Sequence, residues 1–325
     1  MKNKTKKKGF FLHMEEGEKF IIADVGATKV LLFLARYETN EAVIIKQKEY
    51  SSLKYDSIEG VLSVFLESEK NIFQAVIAIA GAVKDRKCLP TNLSWVVDAD
   101  HIEKKFSFSR VVLINDIELI GHSLSMLKKD DLLILQKGVE SASKVKTVIS
   151  VGTGLGEVIV DGDKILPSEG GHTDFASNTE EEIGFLQFMK KRHDHVSYER
   201  VLSGEGLLNV YEFFSERRDI TAEEIGRGES AESEQTIAFF LQTLGKEAGN
   251  LALKTLSFGG VYLYGGVCQK NSLLMQREEL LQGFCDKGRF HALLKEMPIY
   301  LIKTDRAALY GGLNVLLKKE QSFSK

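Results

Sequence analysis

The chain has 325 residues, of which 43% are hydrophobic and 27% charged, with a net charge of −3. That length can hold two cores, and the near-neutral balance excludes a general basic field for nucleic acid. No apolar run nears the roughly 20 residues of a membrane span, and Cys88, Cys268 and Cys285 form neither a CxxC pair nor a zinc spacing, so free thiols in a reducing, cytoplasmic compartment and no protein-bound structural metal are expected.

Residues 1–18 open with Lys2, Lys4, Lys6, Lys7 and Lys8 and carry only a short apolar piece, Gly9 to Leu12. They read as a disordered basic extension, or as an upstream start with Met14 as the true beginning. The first organised stretch is Phe20 to Leu34, two apolar runs flanking Asp24-Val25-Gly26-Ala27-Thr28. This is the pattern of a β-hairpin. Its turn amides and the Thr28 hydroxyl can hold phosphate oxygens, and Asp24 can hold hydrated Mg²⁺. Gly and Asp are equally what plain turns contain.

A strand follows over Gln74 to Ile79 and closes in the small residues Ala80-Gly81-Ala82. Asn92, in a polar stretch beside Trp95, is a second sugar ligand or simply a turn former. Residues Ile102 to Phe106 read as a short helix leading into Val111-Val112-Leu113-Ile114, a strand buried on both faces. That strand ends in Asn115-Asp116. Ligands of open α/β sheets sit beyond the carboxyl ends of strands. Asp116 can take a proton from a substrate hydroxyl, and the Asn115 amide can donate and accept to a polyol; alternatively Asp116 caps a helix over Ile117 to Leu127.

Thr147 to Val160 repeats the plan of the first hairpin, with Gly152-Thr153-Gly154-Leu155-Gly156 as its turn. Two such copies some 125 residues apart point to a duplicated α/β half-molecule. Ser168 to Ala176 places Glu169 and His172 on either side of two glycines, so both side chains can face one ligand, or can form a plain hydrogen-bonded network with Asp174. Thr179 opens a helix as a capping box. Glu199, in Val196 to Gly204, reads on its own as a surface residue. Residues Thr221 to Glu234 read as a mobile loop with short helical turns, and Ile237 to Ala252 as a long buried helix whose Gly245 and Gly249 admit a close neighbour. Gly259 to Val267 is a strand bracketed by glycine pairs, with an exit that could admit a base and ribose. A strand at Met297 to Ile302 and a helix from Ala307 to Lys318 close the chain.

Taken together and in this order, six motifs resemble the bacterial ATP-dependent glucokinases of the hexokinase/actin-like superfamily. They are Asp24 to Thr28, Leu113 to Asp116, Gly152 to Gly156, Ser168 to Ala176, Val196 to Gly204 and Gly259 to Gly266. The resemblance runs from Phe20 to Leu317. It implies an α/β, two-domain actin-like (ribonuclease H-like) ATPase fold, with a duplicated β-hairpin-led α/β unit and an interdomain cleft. The domains expected are a small one over 19–126, completed by a C-terminal helix at 307–325, and a large one over 127–306.

The resemblance implies transfer of the ATP γ-phosphoryl group to the 6-hydroxyl of glucose, with Asp116 as base. Asn115, Asp116, Glu169, His172 and Glu199 then surround the sugar, with Asn92 as a further candidate. Asp24, Gly26, Thr28, Gly152, Thr153, Gly154, Gly265 and Gly266 are at Mg·ATP, with Asp24 reaching Mg²⁺ through water. A homodimer without nucleic-acid or membrane partners is expected. The alternatives are a kinase for another hexose and a non-catalytic sugar sensor of the same fold. The chain departs from the family in Ala27, where a second glycine is usual, in Lys29 for Asn, and in Ala82 and Ser177 for proline. A Walker-type kinase is excluded because the one Gly-Lys, Gly245-Lys246, is followed by Glu247.

Overall fold

The computed structural model describes residues 14–67, 69–90 and 93–318, which fall into two units: 14–126 with 306–318, and 127–305.

The first unit starts with three strands, β1 (Lys19–Val25), β2 (Lys29–Glu38) and β3 (Glu41–Ser51), paired antiparallel as a meander. Helix α1 (Ile58–Leu66) then leads to β4 (Ile72–Ile79). Three two-residue strands, β5 (Val83–Lys84), β6 (Lys87–Cys88) and β7 (Val97–Asp98), form a small separate sheet. After them come α2 (Ala99–Phe106), β8 (Arg110–Asn115) and α3 (Asp116–Ser123). The main sheet has the order β3-β2-β1-β4-β8, with β1, β4 and β8 parallel. Asp98 caps α2 through the amides of Asp100 and His101, which starts that helix three residues earlier than its apolar periodicity predicts. The C-terminal helix (Ala307–Leu317) packs onto α3 and β1, where Gly311 lies against the Leu119 carbonyl and Gly312 against Ile22.

Residues 14–18 correct the expected extension. Met14 is buried, its sulfur accepts from Gln74 Nε2 at 3.4 Å, and the Gly17 amide donates to the Tyr37 carbonyl at 2.9 Å. Burial of an apolar side chain and pairing of backbone groups outweigh the polar character of Glu15, Glu16 and Glu18.

The second unit repeats the pattern with one added strand. Its strands are β9 (Leu132–Gln136), β10 (Val145–Val151), β11 (Leu155–Asp161) and β12 (Lys164–Ser168). Helices α4 (Glu180–Lys190), α5 (Gly204–Ser215), α6 (Ala222–Gly226) and α7 (Ala231–Thr255) follow. The chain continues through β13 (Val261–Tyr264), α8 (Gly266–Lys270), α9 (Glu278–Cys285), α10 (His291–Glu296) and β14 (Ile299–Ile302). The sheet order is β12-β11-β10-β13-β14-β9, in which β10, β11 and β12 form a meander and β10, β13 and β14 run parallel. Thr221 caps α6 with a full capping box, which makes this five-residue helix one of the short helical turns expected in that stretch.

Helix α7 is the spine of this core, contributing Ile237, Phe240, Leu241, Leu244, Ala248, Leu251 and Ala252. It crosses α9 at backbone distance: a Cβ on Gly245 would lie 2.0 Å from the Leu280 carbonyl oxygen. Gly245→Ala is therefore expected to destabilise by about 3 kcal/mol, read as a lower melting temperature. An unchanged melting temperature would show that the two helices part without cost.

Candidate functional site

In the first unit the carboxyl ends of β1 and β8 lie at one end of the sheet, separated by β4: Asp24 is in register with Ala78, and Ile79 with Asn115. Each strand spacing is about 4.8 Å, so Asp24 and Asp116 share one edge. Burial and then the Asp116 charge push the Asp24 carboxyl up to about 7, against the pull of Lys29. Burial and then Asp116 likewise raise the Glu118 carboxyl and the Cys88 thiol. Three acids and a thiol thus gather at this edge.

The cap of α3 is Asn115, not Asp116: Asn115 Oδ1 accepts from the amides of Ile117 and Glu118 at 2.9 and 3.4 Å. Asp116 is the first helical residue, with Oδ1 on the Ile117 amide at 2.9 Å. The Asn115 NH₂ donates to the Gly81 carbonyl at 3.5 Å, which leaves its second N–H as the group that can address a ligand. The turn Gly26–Thr28 is pinned by Ser52, whose hydroxyl donates to the Ala27 carbonyl at 2.8 Å and whose amide donates to the Thr28 carbonyl at 3.1 Å. Ser52 is fully buried and carries no sequence signal beyond a polar residue after a strand. Lys29 faces β3, where it pairs with Glu49 at 2.8 Å. Asn92 lies outside the described residues.

In the second unit three turns stack on one another. The Gly152 amide donates to the Gly154 carbonyl at 2.9 Å, closing the β10–β11 turn, and the Gly204 amide donates to Gly152 at the same distance. Beside it, at the end of parallel β13, sits Gly265, with φ +94° and so close to β10 that an added Cβ would lie 2.4 Å from the Val151 carbonyl oxygen, followed by Gly266. Gly152, Thr153, Gly154, Gly265 and Gly266 are thus brought together. On the other side, Glu199 Oε2 accepts from the Leu155 amide at 3.1 Å. A Cβ on Gly154 would sit 2.5 Å from that same oxygen, and one on Gly171 would sit 2.2 Å from the Leu155 carbonyl oxygen.

The result is a convergence of Glu169, His172 and Glu199. His172 Nδ1 is 3.8 Å from Glu199 Oε1, and its Nε2 is 3.9 Å from Glu169 Oε2. These separations exceed hydrogen-bonding distance, so the two acids flank the imidazole without a direct hydrogen bond to it. Asp174 is not part of the group; it pairs with His195 at 2.8 Å. Three polar side chains spread around one opening, two acids and an imidazole, suit a neutral ligand with several hydroxyls.

A family model described as Glucokinase matches residues 21–319. A glucokinase from Nostoc punctiforme is 33% identical over 330 aligned positions, covering 90% of this chain and 97% of that protein. One from Cronobacter sakazakii is 35% identical over 307 positions, covering 90% and 95%. Among solved structures, a glucokinase from an Antarctic psychrotroph is 26% identical with a TM-score of 0.80, covering 92% of this chain and 98% of that one. A ROK family glucokinase from Streptomyces griseus, in complex with glucose and AMPPNP, is 16% identical with a TM-score of 0.64 over 91% and 98%, and shares the fold.

The stacking of turns makes a local prediction. Gly154→Ala drives a methyl into Glu199 and should break its bond to the Leu155 amide. Hydrogen exchange at that amide is expected to accelerate about tenfold or more, the equivalent of losing a hydrogen bond to a charged group. Unchanged protection would show that Glu199 shifts without losing the amide.

Proposed function

Since the chain belongs to the glucokinase family, we propose that its sugar- and phosphate-facing residues are those converging in each unit, with Asp116 as the base. The protein is an ATP-dependent hexose kinase of the actin-like fold that phosphorylates glucose. What carries the residue assignment is the convergence of Glu169, His172 and Glu199 on one opening, with no mutual hydrogen bond using them up.

In this assignment Glu169 and Glu199 accept from glucose hydroxyls, and His172 donates or accepts between them. The Asn115 NH₂ donates to the sugar, its oxygen being held by the helix cap. Asn92 remains a further candidate. Asp116 is fixed by its place in the first turn of α3, and accepts the proton of the 6-hydroxyl as the oxygen attacks the γ-phosphorus. The transferred group passes directly to that oxygen, giving glucose 6-phosphate and ADP.

The turns at Gly26–Thr28 and Gly152–Gly154 present backbone amides and the Thr28 and Thr153 hydroxyls to the phosphates, and Gly265–Gly266 leaves room for the nucleotide. Mg²⁺ arrives with ATP as part of the substrate. The edge formed by Asp24 and Asp116 fits it, because the Asp24 carboxyl, pushed up to about 7 by burial and then by the Asp116 charge, regains its ionised form beside a hydrated cation. The Streptomyces griseus relative, which holds glucose and AMPPNP, supports the same pair of substrates. No helix among the described residues is long and apolar enough to cross a membrane. A homodimer in the cytoplasm completes the proposal; three free cysteines fit a reducing compartment, and light scattering on the purified protein checks the assembly.

Asp116→Asn keeps size and shape but removes the basic charge. It is expected to lower kcat at least about a hundredfold, with glucose affinity by calorimetry changed far less. A near-normal kcat would leave Asp116 a helix residue only. Glu169→Gln should raise the KM for glucose strongly, because a buried or oriented hydroxyl loses its acceptor. An unchanged KM would remove Glu169 from the pocket.

A further inference from the structure

Under the Glu169–His172 turn lies a second pair of acids that the reaction does not use. Glu157 sits on β11 between Leu155 and Ile159, in an apolar row, and is 2% exposed; Glu247, on α7, is fully buried. A buried carboxylate is costly unless it is paired. Yet Glu157 Oε1 and Glu247 Oε1 each lack a hydrogen-bond partner among the described residues. Glu247 is the charged neighbour that, after burial itself, most raises the affinity of Glu157 for a proton, as a second buried acid at close range does. Glu247 also accepts from Asn250 Nδ2 at 2.9 Å, and that same group donates to the Tyr198 hydroxyl at 3.0 Å.

Both ends of this cluster touch the sugar-facing turns. A Cβ on Gly170 would fall 1.9 Å from Glu157 Oε2, so the carboxyl packs directly beneath the glycine between Glu169 and His172. Tyr198, linked to Glu247 through the Asn250 amide, is the residue before Glu199. We propose that Glu157 and Glu247 share one proton, and that this buried acid pair is the footing that positions Glu169, His172 and Glu199 for the sugar. The proposal rests on assigning those three residues to glucose.

The surroundings set which acid holds the proton. Burial and then the Glu247 charge push Glu157 up to about 8, with Lys254 of α7 opposing. Burial also raises Glu247, but Asn250, Lys254, the Tyr198 hydroxyl and Lys287 favour its ionised form. Lys246, the other cation on α7, is spent on Glu182 of α4 at 2.7 Å. Glu157 is therefore the donor at neutral pH. Its folded value lies above the unfolded one, so the stabilisation is full below the usual carboxylate range and is lost as pH rises through about 8. Above that, two negative charges face each other under Gly170 and the turn loses its footing.

The test compares the wild type with Glu157→Gln and Glu157→Ala, measuring glucose KM and kcat from pH 7 to 9.5 under excess Mg·ATP. Infrared difference spectra of the protonated carboxyl stretch are taken on the same proteins. Gln donates a permanent N–H to Glu247, so it stands in for the protonated acid at every pH; Ala cannot. Wild-type KM is expected to climb above pH 8, approaching a tenfold rise per pH unit for a one-proton link. Glu157→Gln should stay flat, and Glu157→Ala should start high. The wild type should show a protonated carboxyl at pH 7 that Glu157→Gln lacks. Parallel KM profiles for wild type and Glu157→Gln would overturn the footing, and absence of the carboxyl signal would overturn the shared proton. If Glu157→Ala does not fold, Glu157→Gln decides alone. A failed sugar assignment is distinguishable, since Glu169→Gln would then leave KM unchanged while the carboxyl signal stays.

Discussion

Much of the second unit depends on backbone lying directly on backbone. The β10–β11 turn, the Glu169–His172 turn and the turn carrying Glu199 are stacked so closely that a single methyl at Gly154, Gly170 or Gly171 would strike a carboxylate or a carbonyl. Only residues without a side chain permit this, and the closeness is what brings amides and carboxylates from three separate stretches together. A looser arrangement would need longer side chains to span the gaps, each adding rotamer entropy to be lost on binding.

The first unit meets a different constraint. One end of its sheet gathers Asp24, Asp116 and Glu118, where burial first and then the Asp116 charge raise the carboxyls of Asp24 and Glu118. The turns of the second unit, by contrast, are held by hydrogen bonds of the protein itself through Ser203, Gly204 and Leu155.

What the sequence revealed follows from how local each signal is. Both hairpins, the strand ending at Asn115 and the long helix over α7 are written in runs of apolar residues, and these were legible. The Gly-Gly between Glu169 and His172 marked a close approach, though not what approached. Long-range partners were not legible. Nothing near Glu157 in the chain announces Glu247, which lies 90 residues later, and an acid in an otherwise apolar strand reads as an outward-facing residue until the opposing helix is placed. Ser52 is invisible for the same reason. Asn115 and Asp116 show a subtler limit: either can cap a helix, and only the backbone angles decide which does, here Asn115 with ψ 145°. Glu199 was placed by family likeness, because its local pattern is that of a surface turn.

The path of the chain carries a consequence for synthesis. The first sheet is laid down early, but the helix that covers it, with Gly311 on α3 and Gly312 on Ile22, comes from Ala307–Leu317, after the whole of residues 127–305 has been made. On the ribosome the inner unit is complete while the outer one still exposes the apolar surface around Ile22 and Leu119. Folding order therefore runs from the inside of the sequence outward. The nascent first unit is the stage most in need of a chaperone, and a chain cut just before Ala307 would leave that surface bare.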